Sequence, residues 1–150
     1  MSATHLFCTF SIQNFTFGIA VEMIQEVIRY QEMTPVPLAP ATVHGLINLR
    51  GQIVTAIDLR TQLELPARSS EDLPMNVIVR TRDGAVSLLV DEIGDVVEVD
   101  TERYERPPDT LVGKARELVT GVYKLEGSLL LILDVDGAVS VTSTPHETLV

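Results

Sequence analysis

The feature that most constrains this chain is that it contains the same stretch twice. Residues 43–59 read Val-His-Gly-Leu-Ile-Asn-Leu-Arg-Gly-Gln-Ile-Val-Thr-Ala-Ile-Asp-Leu, and residues 119–135 read Val-Thr-Gly-Val-Tyr-Lys-Leu-Glu-Gly-Ser-Leu-Leu-Leu-Ile-Leu-Asp-Val. Without a gap, Gly45 matches Gly121, Leu49 matches Leu125, Gly51 matches Gly127 and Asp58 matches Asp134, each 76 positions apart. Each anchor has a local job. The second glycine lies between two apolar, β-branched runs, where a residue free to take positive φ turns a tight hairpin. The aspartate precedes a short amphipathic segment, Leu59–Leu63 in the first copy, and its carboxylate suits the N-cap of a helical turn.

A second unit recurs at an offset of 69. Val21-Glu22, Ile24 and Val27-Ile28 correspond to Val90-Asp91, Ile93 and Val96-Val97, and a Gln13-Asn14 turn falls on Arg82-Asp83. Asp83-Gly84 is itself a hairpin signal. The spacing of Val21, Ile24, Val27 and Ile28 predicts about two turns of helix, stopped by the proline-rich loop 34–40. The unequal offsets place seven extra residues in the second loop, which holds Arg106-Pro-Pro-Asp109. The order is therefore hairpin, acidic turn, proline-containing loop, hairpin and short helical turn, performed twice. The expected fold is mainly β: two small five-stranded barrels packed on a shared core, with short helical turns. A first half of about 5–64, a connector at 65–74 and a second half of about 75–140 make one domain of 1–150. Exchange of strands between the halves stays open, and 141–150 reads as a frayed tail. Neither half is large enough to stand easily alone, so a groove between them is the natural binding surface.

Catalytic and metal-binding patterns are not visible. His5, His44 and His146 have no metal-ligand spacing around Cys8, and Cys8 lies in an apolar run as a small core residue. Gly45–Gly51 is followed by no Lys-Ser/Thr of a phosphate loop, and no G-x-S-x-G turn occurs. Glu22, Glu26, Asp91, Glu92 and Asp95 read as a solvated acidic face. A net charge of −10 argues against nucleic acid. No apolar run approaches the roughly 20 residues of a membrane helix, which points to the cytoplasm. Arg50, at the first hairpin tip, is matched by Glu126 in the second copy, so the repeat does not require arginine there.

The residues Phe17-Gly-Ile-Ala-Val-Glu-Met-Ile-Gln-Glu-Val, Gly45-Leu-Ile-Asn-Leu-Arg-Gly-Gln-Ile-Val, Ile57-Asp-Leu-Arg60, Val90-Asp91 with Val96-Val97, Pro107-Pro108 and Val119-Thr-Gly resemble the CheW family of chemosensory adaptors over about residues 5–140. That resemblance implies two SH3-like five-stranded barrels and a non-enzymatic scaffold without cofactor or metal. Its partners would be methyl-accepting chemotaxis receptors and the regulatory domain of a CheA-type histidine kinase, met at receptor arrays on the inner face of the membrane. Carried over residue by residue, Ile24, Glu26, Gly45, Arg50 and Val96 would contact the receptor, with Glu26 and Arg50 as an ion pair. Glu105, Arg106, Pro107, Pro108, Thr110 and Leu111 would form the kinase or ring interface. Thr55 stands where the family usually has proline, and Glu105 where it often has arginine. An adaptor in pilus motility or another chemosensory pathway, and a small-molecule sensor using the groove, are the rival readings.

Overall fold

A computed structural model describes residues 3–140. The first copy forms a hairpin of β1 (Thr4–Ile12) and β2 (Phe15–Ala20), a single 3₁₀ turn at Val21–Met23, and β3 (Ile24–Ile28). Then come β4 (Val43–Leu49), β5 (Gln52–Asp58) and α1 (Leu59–Gln62). The second copy repeats the order with β6 (Met75–Thr81), β7 (Gly84–Val90) and β8 (Glu92–Asp100). After a 3₁₀ turn at Thr101–Arg103 it adds α2 (Gly113–Leu118), β9 (Val119–Leu125), β10 (Ser128–Leu133) and α3 (Val135–Val139). Asp58 and Asp134 cap α1 and α3, accepting from Arg60 N and Gly137 N. The larger part of the second loop's insertion follows Leu111, where α2 forms, rather than lying among the prolines before it.

The strands make two five-stranded sheets, in the orders β8-β1-β2-β10-β9 and β3-β6-β7-β5-β4. Each sheet takes its leading hairpin from the opposite copy. β1–β2 joins β8, β9 and β10, whereas β6–β7 joins β3, β4 and β5. The exchange is sealed by two parallel seams, β10 on β2 and β5 on β7, at positions related by the repeat. Hairpin turns follow the expected pairs: Ile12 faces Phe15 and Thr81 faces Gly84, so Arg82-Asp83 is the turn and Gly84 opens the next strand.

The predicted two-turn helix at Val21–Ile28 is not there. After one 3₁₀ turn the chain is strand, paired with β6. A bulge between Ile24 and Glu26 inserts one residue into this pairing, so Ile24 lies opposite Val79 and Val27 opposite Val77. Partners two apart share a face, which puts residues three apart on one side and imitates helical spacing. The β-branched side chains then settle the choice for strand. β8 carries the same bulge, with Ile93 opposite Phe10 and Val96 opposite Cys8.

Among the described residues, three apolar clusters pack the interior. The largest draws Phe10, Phe17, Ile57, Leu59, Val77, Leu88, Leu131 and Val135 from both sheets, and so lies between them. Phe7, Val99, Tyr123 and Leu130 form a smaller cluster on β1, β8, β9 and β10. Ile47, Leu49, Val54 and Ile78 form its counterpart on β4, β5 and β6. Cys8 is buried as a free thiol, and burial pushes its pKa up, away from the reactive thiolate.

Candidate protein-docking site

The first β4–β5 tip is built around a two-residue turn in which both Arg50 (φ 51°) and Gly51 (φ 87°) are left-handed. This mirror-image turn matches the twist of a hairpin but favours glycine or asparagine over arginine. Asn48 Oδ1 closes it by accepting from Gly51 N at 2.8 Å. The Arg50 side chain is 69% exposed and reaches across to the Glu26 carboxylate on β3, to which its Nη2 donates. The hydrogen bond from Arg50 holds the Glu26 carboxyl below its ordinary pKa, and the Glu26 partner raises that of Arg50. Such an exposed pair adds little to stability. Its effect is to fix a guanidinium and a carboxylate side by side between the hairpin tip and β3.

Of the other positions proposed for receptor contact, Val96 is 56% exposed on the edge strand β8, among Asp95 and Glu98. Among the described residues, no hydrogen bond or ion pair links it to the Arg50–Glu26 pair. Gly45 is buried. The segment at Thr34 crosses it and bridges Leu46 with two backbone bonds of 2.9 and 2.8 Å. A Cβ on Gly45 would lie 2.8 Å from the Thr34 carbonyl oxygen, so the glycine is needed for that crossing. Gly121 does the same job: Glu105 bridges Val122, and a Cβ there would fall on the Tyr104 ring, whose hydroxyl donates to the Thr120 carbonyl.

In the segment 105–111, Glu105, Arg106 and Thr110 are exposed and Pro107 and Pro108 half-buried. Leu111 is buried in the central cluster, so its side chain anchors the loop instead of presenting it. The turn is closed by Leu111 N donating to the Pro108 carbonyl at 3.0 Å, and Arg116 Nη1 donates to that same carbonyl at 3.1 Å. Lys124 approaches Glu105 at 3.6 Å.

The acidic residues are not one solvated face. Asp91 is half-buried at the corner between β7 and β8, where it accepts from Arg60 Nε at 2.9 Å, Arg68 Nε at 3.1 Å and Gln13 N at 2.7 Å. Arg68, in the connector, also reaches Asp58 at 3.2 Å. Burial works against the Asp91 carboxylate, yet the bonds from Arg60, Gln13 and Arg68 prevail and hold its pKa below the ordinary value. This four-charge cluster ties α1, the connector and the β1–β2 tip together. Sequence reasoning missed it because the partners lie 31 and 23 residues from Asp91. Glu22, the repeat counterpart of Asp91, instead meets exposed His5 at 2.8 Å.

Among the described residues, no group of three or more His, Cys, Asp or Glu is placed to hold a metal ion. No helix there is long and apolar enough to cross a membrane. The recesses around Arg60, Arg68 and Asp91 are polar, and the cluster's arginines and carboxylates satisfy one another. What the surface offers is an exposed ion pair, isolated apolar side chains and stiff loops, which suits docking of a protein.

Comparison with known proteins places these features. The family model described as a CheW-like domain matches residues 6–142. A chemotaxis protein CheW from Treponema pallidum is 30% identical over 131 residues, covering 85% of this chain and 77% of the relative. Another from Bacillus subtilis is 30% identical, covering 90% of this chain and 86% of the relative. The crystal structure of the scaffolding protein TtCheW from Thermoanaerobacter tengcongensis superposes with a TM-score of 0.78 at 28% identity, covering 88% of this chain and 90% of that one.

Proposed function

The chain belongs to the CheW-like domain family, and we propose from that premise that it is a non-catalytic adaptor. It couples methyl-accepting chemotaxis receptors to a CheA-type histidine kinase in a two-component chemosensory pathway. It works in the cytoplasm, at receptor arrays on the inner face of the membrane, without cofactor.

The observation that supports the receptor side best is the Arg50–Glu26 pair. A left-handed arginine at an exposed turn is a poor choice for folding alone. Its guanidinium is held over β3 by Glu26 while staying exposed, ready for a polar contact. Val96 offers a further exposed apolar contact, while Gly45 acts indirectly by letting the 34–46 crossing form. On the kinase side, Arg106, Thr110 and the prolines present a stiff loop whose position Leu111 fixes from within.

The experiment is titration calorimetry of the full chain against the kinase regulatory domain, paired with receptor capture by wild type and Arg50→Glu. Binding at micromolar concentration or tighter is expected, with receptor capture lost in the variant and an unchanged far-UV spectrum. A folded protein that binds neither partner would remove the adaptor reading. An Arg50→Glu chain that unfolds would make Arg50 structural.

A further inference from the structure

Two hairpin tips that the repeat makes equivalent are not built alike. Between β4 and β5 the tip is Arg50-Gly51, and both residues are left-handed, at φ 51° and 87°. Between β9 and β10 it is Glu126-Gly127, where the glycine has φ 80° and Glu126 is not left-handed. Loop length does not separate them: Leu49 faces Gln52 and Leu125 faces Ser128, so each turn holds two residues. Nor does the acid on the neighbouring strand, since Asp95 of β8 stands 69 positions after Glu26 of β3.

The residue two places before the tip does separate them. Asn48 Oδ1 accepts from Gly51 N at 2.8 Å, closing a ring of side chain and backbone around the turn. Its counterpart, 76 positions on, is Lys124. An ammonium has three donors and no acceptor, and this one turns aside to Glu105 at 3.6 Å. Arginine has no liking of its own for the left-handed region, which glycine and, through local hydrogen bonds, asparagine or aspartate visit readily. The Arg50 side chain is 69% exposed, and an ion pair of that kind is too weak to hold such strain. The acceptor on Asn48 is what remains to hold it. Backbone conformation sets the direction in which a side chain leaves the chain, so φ at residue 50 decides whether the guanidinium reaches β3.

We propose that Asn48 is a positioning residue: it keeps the tip left-handed, aims Arg50 at Glu26 and, through Arg50, governs receptor capture. The receptor part rests on the reading of the Arg50–Glu26 pair given above; the aiming does not. Lys124 and Glu126 then mark the second tip as one that is not aimed, although its length and its glycine are the same.

The test uses the full chain with Asn48→Ala, which removes the acceptor, and Asn48→Asp, which keeps one. NMR reads the sign of φ at residue 50 from the intraresidue HN–Hα distance, and follows the titration of the Glu26 carboxyl, which Arg50 holds below its ordinary value. In Asn48→Ala, residue 50 should leave positive φ and the Glu26 pKa should climb towards that of an unpaired carboxyl. Receptor capture should weaken by about fivefold or more as the aimed tip becomes the minor form, with binding to the kinase domain unchanged. Asn48→Asp should keep the left-handed tip and the capture. In Glu26→Gln, residue 50 should stay left-handed, because Asn48 and not the ion pair holds it. Positive φ and wild-type Glu26 titration in Asn48→Ala would overturn the proposal, as would a tip that relaxes in Glu26→Gln. Loss of kinase binding together with receptor capture would make Asn48 a residue of the fold and overturn it too. A tip that reorients while capture holds would overturn the effect on the receptor, and with it the receptor reading of the pair, leaving only the aiming.

Discussion

The two sheets share a plan down to the position of their bulges, yet equivalent sites do different work. Inside the β3–β7 sheet, Asn76 is fully buried, accepts from the Ser87 hydroxyl at 2.7 Å and donates to the Arg29 carbonyl at 3.1 Å. Across the molecule the matching positions are Phe7 and Gly18, a large ring beside a residue with no side chain. A Cβ on Gly18 would come within 2.9 Å of Leu130 Cδ1. One sheet fills the space with a polar pair that pins the end of β3, the other with an aromatic ring. The crossings over Gly45 and Gly121 differ in the same way: backbone lies over the first and the Tyr104 ring over the second. The repeat thus dictates where the backbone goes, and each copy chooses its own means of holding it there.

Replacing the buried amide should break this comparison most strongly. Asn76→Leu leaves the buried Ser87 hydroxyl without its acceptor and takes one of two side-chain donors from the Arg29 carbonyl, for an expected loss of about 2–3 kcal/mol. Phe7→Leu, at the matching site, should cost only about 1 kcal/mol. Urea unfolding of the two variants measures the gap, and equal losses would contradict it.

Of similar size is the effect at the Asp91 corner. Asp91→Asn should lose about 2–3 kcal/mol, less than a fully buried pair because Arg68 keeps Asp58. Glu22→Gln, its exposed counterpart, should leave the melting temperature unmoved. The pH dependence has a definite sign. The folded Asp91 pKa lies below its unfolded value, so the stabilisation is present above about pH 4 and fades as pH falls through the folded value. Below pH 4, acid should therefore narrow the difference between wild type and Asp91→Asn. A constant difference down to pH 2 would refute the assignment.

The crossing glycines give a smaller contrast. Gly45→Ala meets the Thr34 backbone, which cannot move without breaking its bridge, and should cost about 2 kcal/mol. Gly121→Ala meets only the outer end of Tyr104, which can swing into solvent, for about 1 kcal/mol. Arg50→Asn should cost the fold nothing. It suits the left-handed turn, so thermal stability should hold or rise while receptor capture falls. A drop in both would assign Arg50 to the fold.

Much of this plan was legible in the sequence. The gap-free match from Gly45 to Asp58 located both β4–β5-type hairpins and both helix caps, because turn glycines and capping aspartates act within a few residues of themselves. The Glu26–Arg50 pair was also placed correctly, through the resemblance to a known family. β3 was misread because its bulge converts an alternating pattern into one of three-residue spacing. The corner at Asp91 was missed for a different reason: Arg60 and Arg68 reach it only once α1 and the connector have folded back. Nor could local patterns show which copy's hairpin each sheet would take, since β1–β2 and β6–β7 have similar alternation.

The exchange of hairpins has a consequence for how the molecule is made. The β3–β7 sheet consists of residues 24–90 and can close as soon as that length has left the ribosome. β1–β2 is synthesised first, but its neighbours β8, β9 and β10 end at Leu133. At typical elongation rates the hairpin waits on the order of ten seconds, a pair of strands too few to be stable alone and bearing Phe7, Phe10 and Phe17. The first of these hairpins to be born is the last to find its place.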